Sequence, residues 1–225
     1  KILQNEDIDI VQSYLSGDNI LCSLAKIGTG IKHISGCRSD YGSKYFKRSL
    51  FRKFMDYISW LFSDRIIINN NTGLDYLTKV LFLNINKIDV VNNGITIPKK
   101  IKLNQNKKTI IGSLGNLHKY KNQKIIIEAY TKINFKADLM IAGEGAERMN
   151  IVNYLETFNI NSERVLLGKI TNITAFYNSI NISIHPSLRE GSPNALLEAM
   201  AHQKLCIASD IKEHREALGS VPEEC

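Results

Sequence analysis

Two carboxylates, Glu190 and Glu198, stand with seven residues between them in the stretch Ser187-Leu188-Arg189-Glu190-Gly191-Ser192-Pro193-Asn194-Ala195-Leu196-Leu197-Glu198-Ala199-Met200-Ala201. A carboxylate is repelled by phosphate but accepts hydrogen bonds from hydroxyl groups, so the pair suits a hydroxyl-rich ligand such as a sugar or a ribose. Between the two, Ser192 is placed to cap a helix with Pro193 as its first residue. The turn Gly191, Ser192, Pro193, Asn194 would then aim unpaired backbone N–H groups at an anion, phosphate above all. A second loop, Gly115-Asn116-Leu117-His118-Lys119-Tyr120-Lys121-Asn122-Gln123, supplies Lys121. Its ammonium can neutralise a diphosphate both when bound and as a leaving group. Two short turns complete the set. In Ala142-Gly143-Glu144-Gly145-Ala146 the Gly143 position offers close backbone approach, although a third glycine is missing, and Gly168-Lys169-Ile170 follows a strand.

These loops need strands behind them and helices after them, and the sequence supplies both. Ile180-Asn181-Ile182-Ser183-Ile184-His185 reads as a β-branched strand feeding the carboxylate stretch, and the Ala-rich run after Ser192 reads as a helix. From residue 109 the pattern is strand 109–113, helix 122–134, strand 137–141, helix 146–158, strand 165–167, helix 172–179, then the key strand and helix, strand 205–208 and a helix from about 212. The earlier part alternates in the same way, with strands at 7–12, 31–35, 65–69 and 88–92 and helices at 18–27 and 72–82. Such alternation predicts parallel, doubly wound α/β sheets. Residues 97–108, with Pro98, several Lys and little apolar periodicity, read as a linker between a domain at 1–96 and another at 109–225.

Composition bounds the function classes. Of the 225 residues 44% are hydrophobic, enough for packed cores. No run of eighteen apolar residues and no charged-then-apolar leader is present, so neither a transmembrane helix nor a signal peptide is expected. Cys22, Cys37, Cys206 and Cys225 show no paired spacing, which points to a reducing cytoplasm, and the histidines show no metal-ligand spacing. Residues 1–108 carry 17 Lys+Arg against 9 Asp+Glu, and residues 109–225 carry 12 against 13. The basic excess gathers around Lys44, Lys47, Arg48, Arg52 and Lys53, which with aromatics such as Phe46, Phe51 and Trp60 accompany an apolar stripe at residues 46, 50, 51, 54, 58 and 61 in helical spacing. Three readings stay open for that segment: an interfacial helix on anionic lipid, a core-facing helix with a solvated basic face, or a nucleic-acid footprint without a recognised motif.

The pattern Pro186-Ser187-x-x-Glu190-Gly191-x-x-Asn194-x-x-x-Glu198-Ala199-Met200-Ala201 resembles the signature of the retaining GT-B glycosyltransferases of family four. The resemblance implies two Rossmann-like domains, the first incomplete at its N-terminus, with Val91-Asn92-Asn93-Gly94-Ile95 matching the segment that closes that domain. It implies a nucleotide diphosphate sugar as donor and a glycan or lipid-linked acceptor, in cell-surface polysaccharide synthesis. By the same resemblance Glu190 and the backbone after it hold the donor sugar, Glu198 binds the ribose, Lys121 binds phosphate, Gly143 lines the nucleotide site and Lys169 lies where the backbone meets the base. No cofactor and no metal are implied. This chain departs from the family where Asn116 replaces a phosphate-binding Arg, which leaves Lys119 to substitute or donor binding weaker, and where Arg38 stands at the position of a catalytic His. Arg38 could contact the donor or be structural. The chain is expected to be a fragment, cytoplasmic, at the inner membrane face if the basic segment binds lipid, and poorly active. The alternatives are a nucleotide-sugar epimerase of the same fold and a non-catalytic basic membrane- or nucleic-acid-binding module.

Overall fold

The computed structural model describes residues 7–38, 49–99 and 108–219. These form two compact units, one up to Asn93 together with Glu190–Ser192, the other from Gly94 to Arg189 and from Pro193 onward. Described residues 94–99, at the start of the expected linker, carry no regular element, and residues 100–107 of that linker lie outside the described residues.

The first unit runs β1 (Ile10–Ser13), α1 (Ser16–Ala25), β2 (Lys32–Cys37), α2 (Leu50–Phe62), β3 (Arg65–Ile68), α3 (Asn71–Asp75) continuing as a π turn over Tyr76–Val80, and β4 (Ile88–Val90). The strands pair in parallel in the order β1-β2-β3-β4, with Ile34 opposite Arg65 and Ile66 opposite Ile88. Ser49 caps α2 by accepting from the Arg52 amide at 3.3 Å, and Asn70 caps α3 by accepting from the Gly73 amide at 2.6 Å. One apolar cluster joins Cys37, Trp60, Ile66, Ile68, Leu77, Leu83 and Ile88.

Elsewhere in this unit the interior is polar. His33 is fully buried, with Nε2 2.8 Å from Ser13 Oγ and Nδ1 3.2 Å from Ser23 Oγ; Ser13 in turn donates to Asn19 Oδ1 at 2.6 Å. Helix α1 turns Ser16, Asn19 and Ser23 inward and leaves Leu21 and Leu24 exposed, as are Leu15 before it and Ile27 after it. Helix α2 likewise buries Asp56, Ser59 and Trp60, while Leu50, Phe51 and Phe54 face outward beside exposed Arg52 and Lys53. The core-facing reading of that apolar stripe is therefore corrected for the described part: a helix carrying Asp56 and Ser59 on one side packs that side against polar partners, and Ser16 Oγ donates to Asp56 Oδ1. The expected positions Lys44, Phe46, Lys47 and Arg48 lie outside the described residues.

The second unit runs β5 (Thr109–Leu114), α4 (Gln123–Tyr130), β6 (Ala137–Ala142), α5 (Arg148–Glu156), α6 (Ser162–Val165), β7 (Leu166–Gly168), α7 (Ile173–Ser179), β8 (Ile182–His185), α8 (Asn194–Ala201), β9 (Leu205–Ala208) and α9 (Lys212–Leu218). All pairs are parallel, in the order β7-β6-β5-β8-β9. Both faces are covered, as a parallel sheet requires. Ile111, Leu139 and Ile141 pack with Leu117, Ile126, Ile127, Ile151 and Leu155, whereas neighbouring Ile110 packs with Phe176, Tyr177, Ile180 and Ala199.

Two local expectations are corrected. Val165 ends a helical turn instead of opening a strand, because Asn161 Oδ1 accepts from the Glu163 and Arg164 amides and caps that turn. Helix α8 begins at Asn194, not Pro193. Pro193 has ψ 67, outside the helical region, and its carbonyl accepts from the Leu196 and Leu197 amides at 3.0 and 3.1 Å, which makes it the N-cap in place of Ser192.

Candidate functional site

In the second sheet β5 and β8 are neighbours, but the chain winds outward from them in opposite directions, through β6 and β7 on one side and through β9 on the other. Loops leaving the carboxyl ends of two such strands diverge, and the crevice between them is where open α/β sheets bind ligands. The loop after β5 carries Gly115 to Asn122, and the loop after β8 carries Pro186 to Arg189.

The first loop is tied to its neighbours through backbone. Gly115 N donates to Ala142 O at 3.0 Å, Leu117 N to Glu144 O at 2.9 Å and Gly143 N to Gly168 O at 2.8 Å, which stitches together the loops after β5, β6 and β7. The close approach expected at Gly143 is thus met by protein: φ is 142°, and a Cβ there would sit 1.9 Å from the Gly115 carbonyl oxygen. At Gly145 it would sit 2.4 Å from the Leu117 carbonyl oxygen. The Gly-x-Gly turn packs one loop on another.

On that rigid base Lys121 closes a 3₁₀ turn over Lys119–Lys121, its amide donating to His118 O at 2.9 Å. Its ammonium lies 3.9 Å from where a Gly115 Cβ would stand, so it folds back over the strand end. Asn116 is exposed, its carbonyl accepting from Gln123 Nε2 at 3.1 Å. The loop after β8 meets this one through Leu188 N, which donates to Tyr120 O at 2.7 Å. The next residue, Arg189, lies over the Tyr120 ring at 4.6 Å from its centroid. His118 stacks on the same ring at 5.5 Å, and Lys121 Nζ lies 6.0 Å from its centroid. Arg189 was not singled out by the sequence, where it is simply the cation preceding a carboxylate.

Two titratable groups flank the crevice. His185, at the end of β8, is buried beside Ser183 Oγ at 2.9 Å, and its pKa is pushed down to about 3 by burial and then by the charges of His214 and Lys121. It is neutral at physiological pH. Glu198 is half-buried on α8, and burial raises its carboxyl above the usual range, partly offset by the Tyr177 hydroxyl and His202. Tyr177, fully buried, donates to Ala195 O at 2.7 Å and stacks on His202 at 4.8 Å, while His202 Nδ1 lies 2.7 Å from Glu198 O. This anchors α8 to α7.

Of the other expected site residues, Asn194 is exposed on the first turn of α8, Pro193 is buried, and Lys169 is exposed just past β7. Glu190, Gly191 and Ser192 group with the first unit. Arg38, also in the first unit, is exposed after β2, 5.9 Å from the centre of the Tyr14 ring. Among the described residues no group of three or more His, Cys, Asp or Glu is arranged to hold a metal ion, and no helix is long and apolar enough to cross a membrane.

The sequence model of the family described as glycosyl transferases group 1 matches residues 95–220. The chain is 28% identical over 233 aligned residues to the Escherichia coli UDP-Gal:alpha-D-GlcNAc-diphosphoundecaprenol alpha-1,3-galactosyltransferase, covering 94% of this chain and 60% of that one. It is 25% identical to the Campylobacter jejuni N-acetylgalactosamine-N,N'-diacetylbacillosaminyl-diphospho-undecaprenol 4-alpha-N-acetylgalactosaminyltransferase, covering 97% of this chain and 62% of that one. The chain thus spans about three-fifths of the length of these relatives. Among solved structures it resembles Anabaena Alr3699/HepE in complex with UDP and glucose, at 15% identity and a TM-score of 0.81, covering 92% of this chain and 61% of that one. The α/β fold with two parallel sheets is that of GT-B glycosyltransferases.

Proposed function

The chain belongs to the glycosyl transferases group 1 family, and from that premise we propose that the protein moves a sugar from a nucleotide diphosphate donor, a UDP-sugar, to a lipid-linked glycan in surface polysaccharide synthesis. The observation that carries this reading is Lys121 folded over Gly115 at the point where the strand order of the second sheet reverses. A fixed ammonium there stabilises a diphosphate more as it leaves than while it is esterified, because the charge on it grows in the transition state. The name of the Escherichia coli relative carries a UDP-sugar donor, and the names of both relatives carry a diphospho-undecaprenol acceptor.

Glu198 binds the ribose hydroxyls and Glu190 fixes the donor sugar, which is transferred with retention of configuration and without a metal. Lys169, Asn194 and Gly143 border the nucleotide. A raised pKa suits Glu198 to this role: its carboxylate is partly dehydrated before ligand arrives, so accepting two hydroxyl donors restores what burial removed.

Titration calorimetry with UDP, with and without chelator, tests the reading. Wild-type protein is expected to bind in both conditions, and Glu198→Ala to lose about 10- to 100-fold in affinity, since hydrogen bonds to a charged group are worth about 1.5–3 kcal/mol. Binding that vanishes with chelator, or an unchanged Glu198→Ala, would count against it. The anomeric proton of the product, read by NMR from a polyprenyl diphosphate acceptor, reports retention or inversion.

A further inference from the structure

The Tyr120 ring gathers three basic side chains from the two loops that border the crevice: Arg189 at 4.6 Å, Lys121 Nζ at 6.0 Å and His118 stacked at 5.5 Å. Leu188 and Tyr120 are joined by a 2.7 Å backbone hydrogen bond, so Arg189 springs from a point that is fixed relative to Lys121. A ring face lowers the cost of holding a guanidinium in one orientation. Asn116, the side chain on the same loop that could have supplied a further contact, is neutral and exposed.

We propose that Arg189, oriented by Tyr120, binds the diphosphate together with Lys121 and supplies the planar two-donor fork that Asn116 cannot. The proposal rests on the donor-binding reading above. Lysine is a point charge, whereas a guanidinium presents paired N–H groups to two phosphate oxygens and stacks on aromatics, so the two cations are complementary and not redundant. The arrangement also assigns Tyr120 as a positioning residue, which acts only through the guanidinium it carries.

The test compares UDP with uridine on the same variants, by calorimetry for UDP and ligand-observed NMR for uridine. Arg189→Gln should weaken UDP about 10- to 100-fold and leave uridine unchanged. Arg189→Lys should recover only part of the loss, and Tyr120→Phe, which keeps the ring, should bind UDP more tightly than Tyr120→Leu. Tyr120→Leu should weaken UDP by a smaller factor than Arg189→Gln and reduce the salt dependence of binding little. Unchanged UDP affinity in Arg189→Gln overturns the proposal. Parallel loss of UDP and uridine overturns it too, because it would mean that the residue merely holds the loop. If wild-type protein binds neither ligand, the donor reading falls and takes this inference with it; if wild type binds UDP and Arg189→Gln binds as well, only the inference falls.

Discussion

At Gly143 a methyl group would stand 1.9 Å from the backbone carbonyl oxygen of Gly115, whose amide is bonded to Ala142 O, so no side-chain rearrangement can relieve the clash. Gly143→Ala is expected to cost about 3 kcal/mol or more, from backbone shift and a positive φ together, read as a fall in the urea midpoint. Gly17→Ala is the matched control. Gly17 lies in the first turn of α1 with nothing within 4 Å of where its Cβ would stand, so the substitution should be neutral or stabilising by about 0.5 kcal/mol. If both glycines behave alike, the stitched loops are not the rigid base described for Lys121. Arg189 shows the converse at this scale. Its residue type was visible, but a cation next to Glu190 has no assigned direction until the Tyr120 ring is placed under it.

Strand β8 carries a buried titratable group toward the crevice, and its linkage to stability has a definite sign. His185 has a folded-state pKa of about 3 against an ordinary value of 6.5. The unfolded chain therefore takes up a proton first as pH falls. The stability held by neutral His185 is complete above about pH 6.5 and is lost progressively toward pH 3, by roughly 2–3 kcal/mol at pH 4.5 as an upper figure. Replacing His185 with Asn should flatten that part of the curve of unfolding free energy against pH. A curve unchanged by His185→Asn would show that other groups, such as buried His33, carry the acid sensitivity. Helix α1 illustrates a different point at this scale. Its sequence is amphipathic, but the side it turns inward is Ser16, Asn19 and Ser23, because buried Asp56, Ser13 and His33 require hydrogen-bond partners that leucines cannot provide.

For the whole molecule, the excess of basic residues before residue 109 sets an expectation about surfaces. Exposed Arg52 and Lys53 beside Leu50, Phe51 and Phe54 suit an anionic bilayer, which a lipid-linked acceptor would also occupy. Co-sedimentation with acidic vesicles should be appreciable at low salt and fall steeply near physiological ionic strength, where charges are screened beyond about 8 to 10 Å, and neutral vesicles should bind poorly. Replacing Lys44, Lys47, Arg48, Arg52 and Lys53 with Gln should abolish this while leaving UDP affinity intact; equal loss of both would mean that the segment is structural. Much was legible in the sequence alone. Alternating strands and helices specified parallel α/β sheets, because hydrophobic periodicity and turn residues act locally, and the spacing of Glu190 and Glu198 in the Ala-rich stretch carried the resemblance to a glycosyltransferase family, which the family match bears out. Strand order was not legible, since β5 pairs with β8 across 71 residues, as the Ile111 to Ile182 register shows. Nor was the meaning of Gly143, which depends on a carbonyl from another loop, nor the inward polar side of α1, nor the grouping of Arg189 with Lys121 on one ring. Each of these is a contact between segments distant in the chain, and such contacts are decided by packing and by the satisfaction of buried polar groups, which no local pattern encodes.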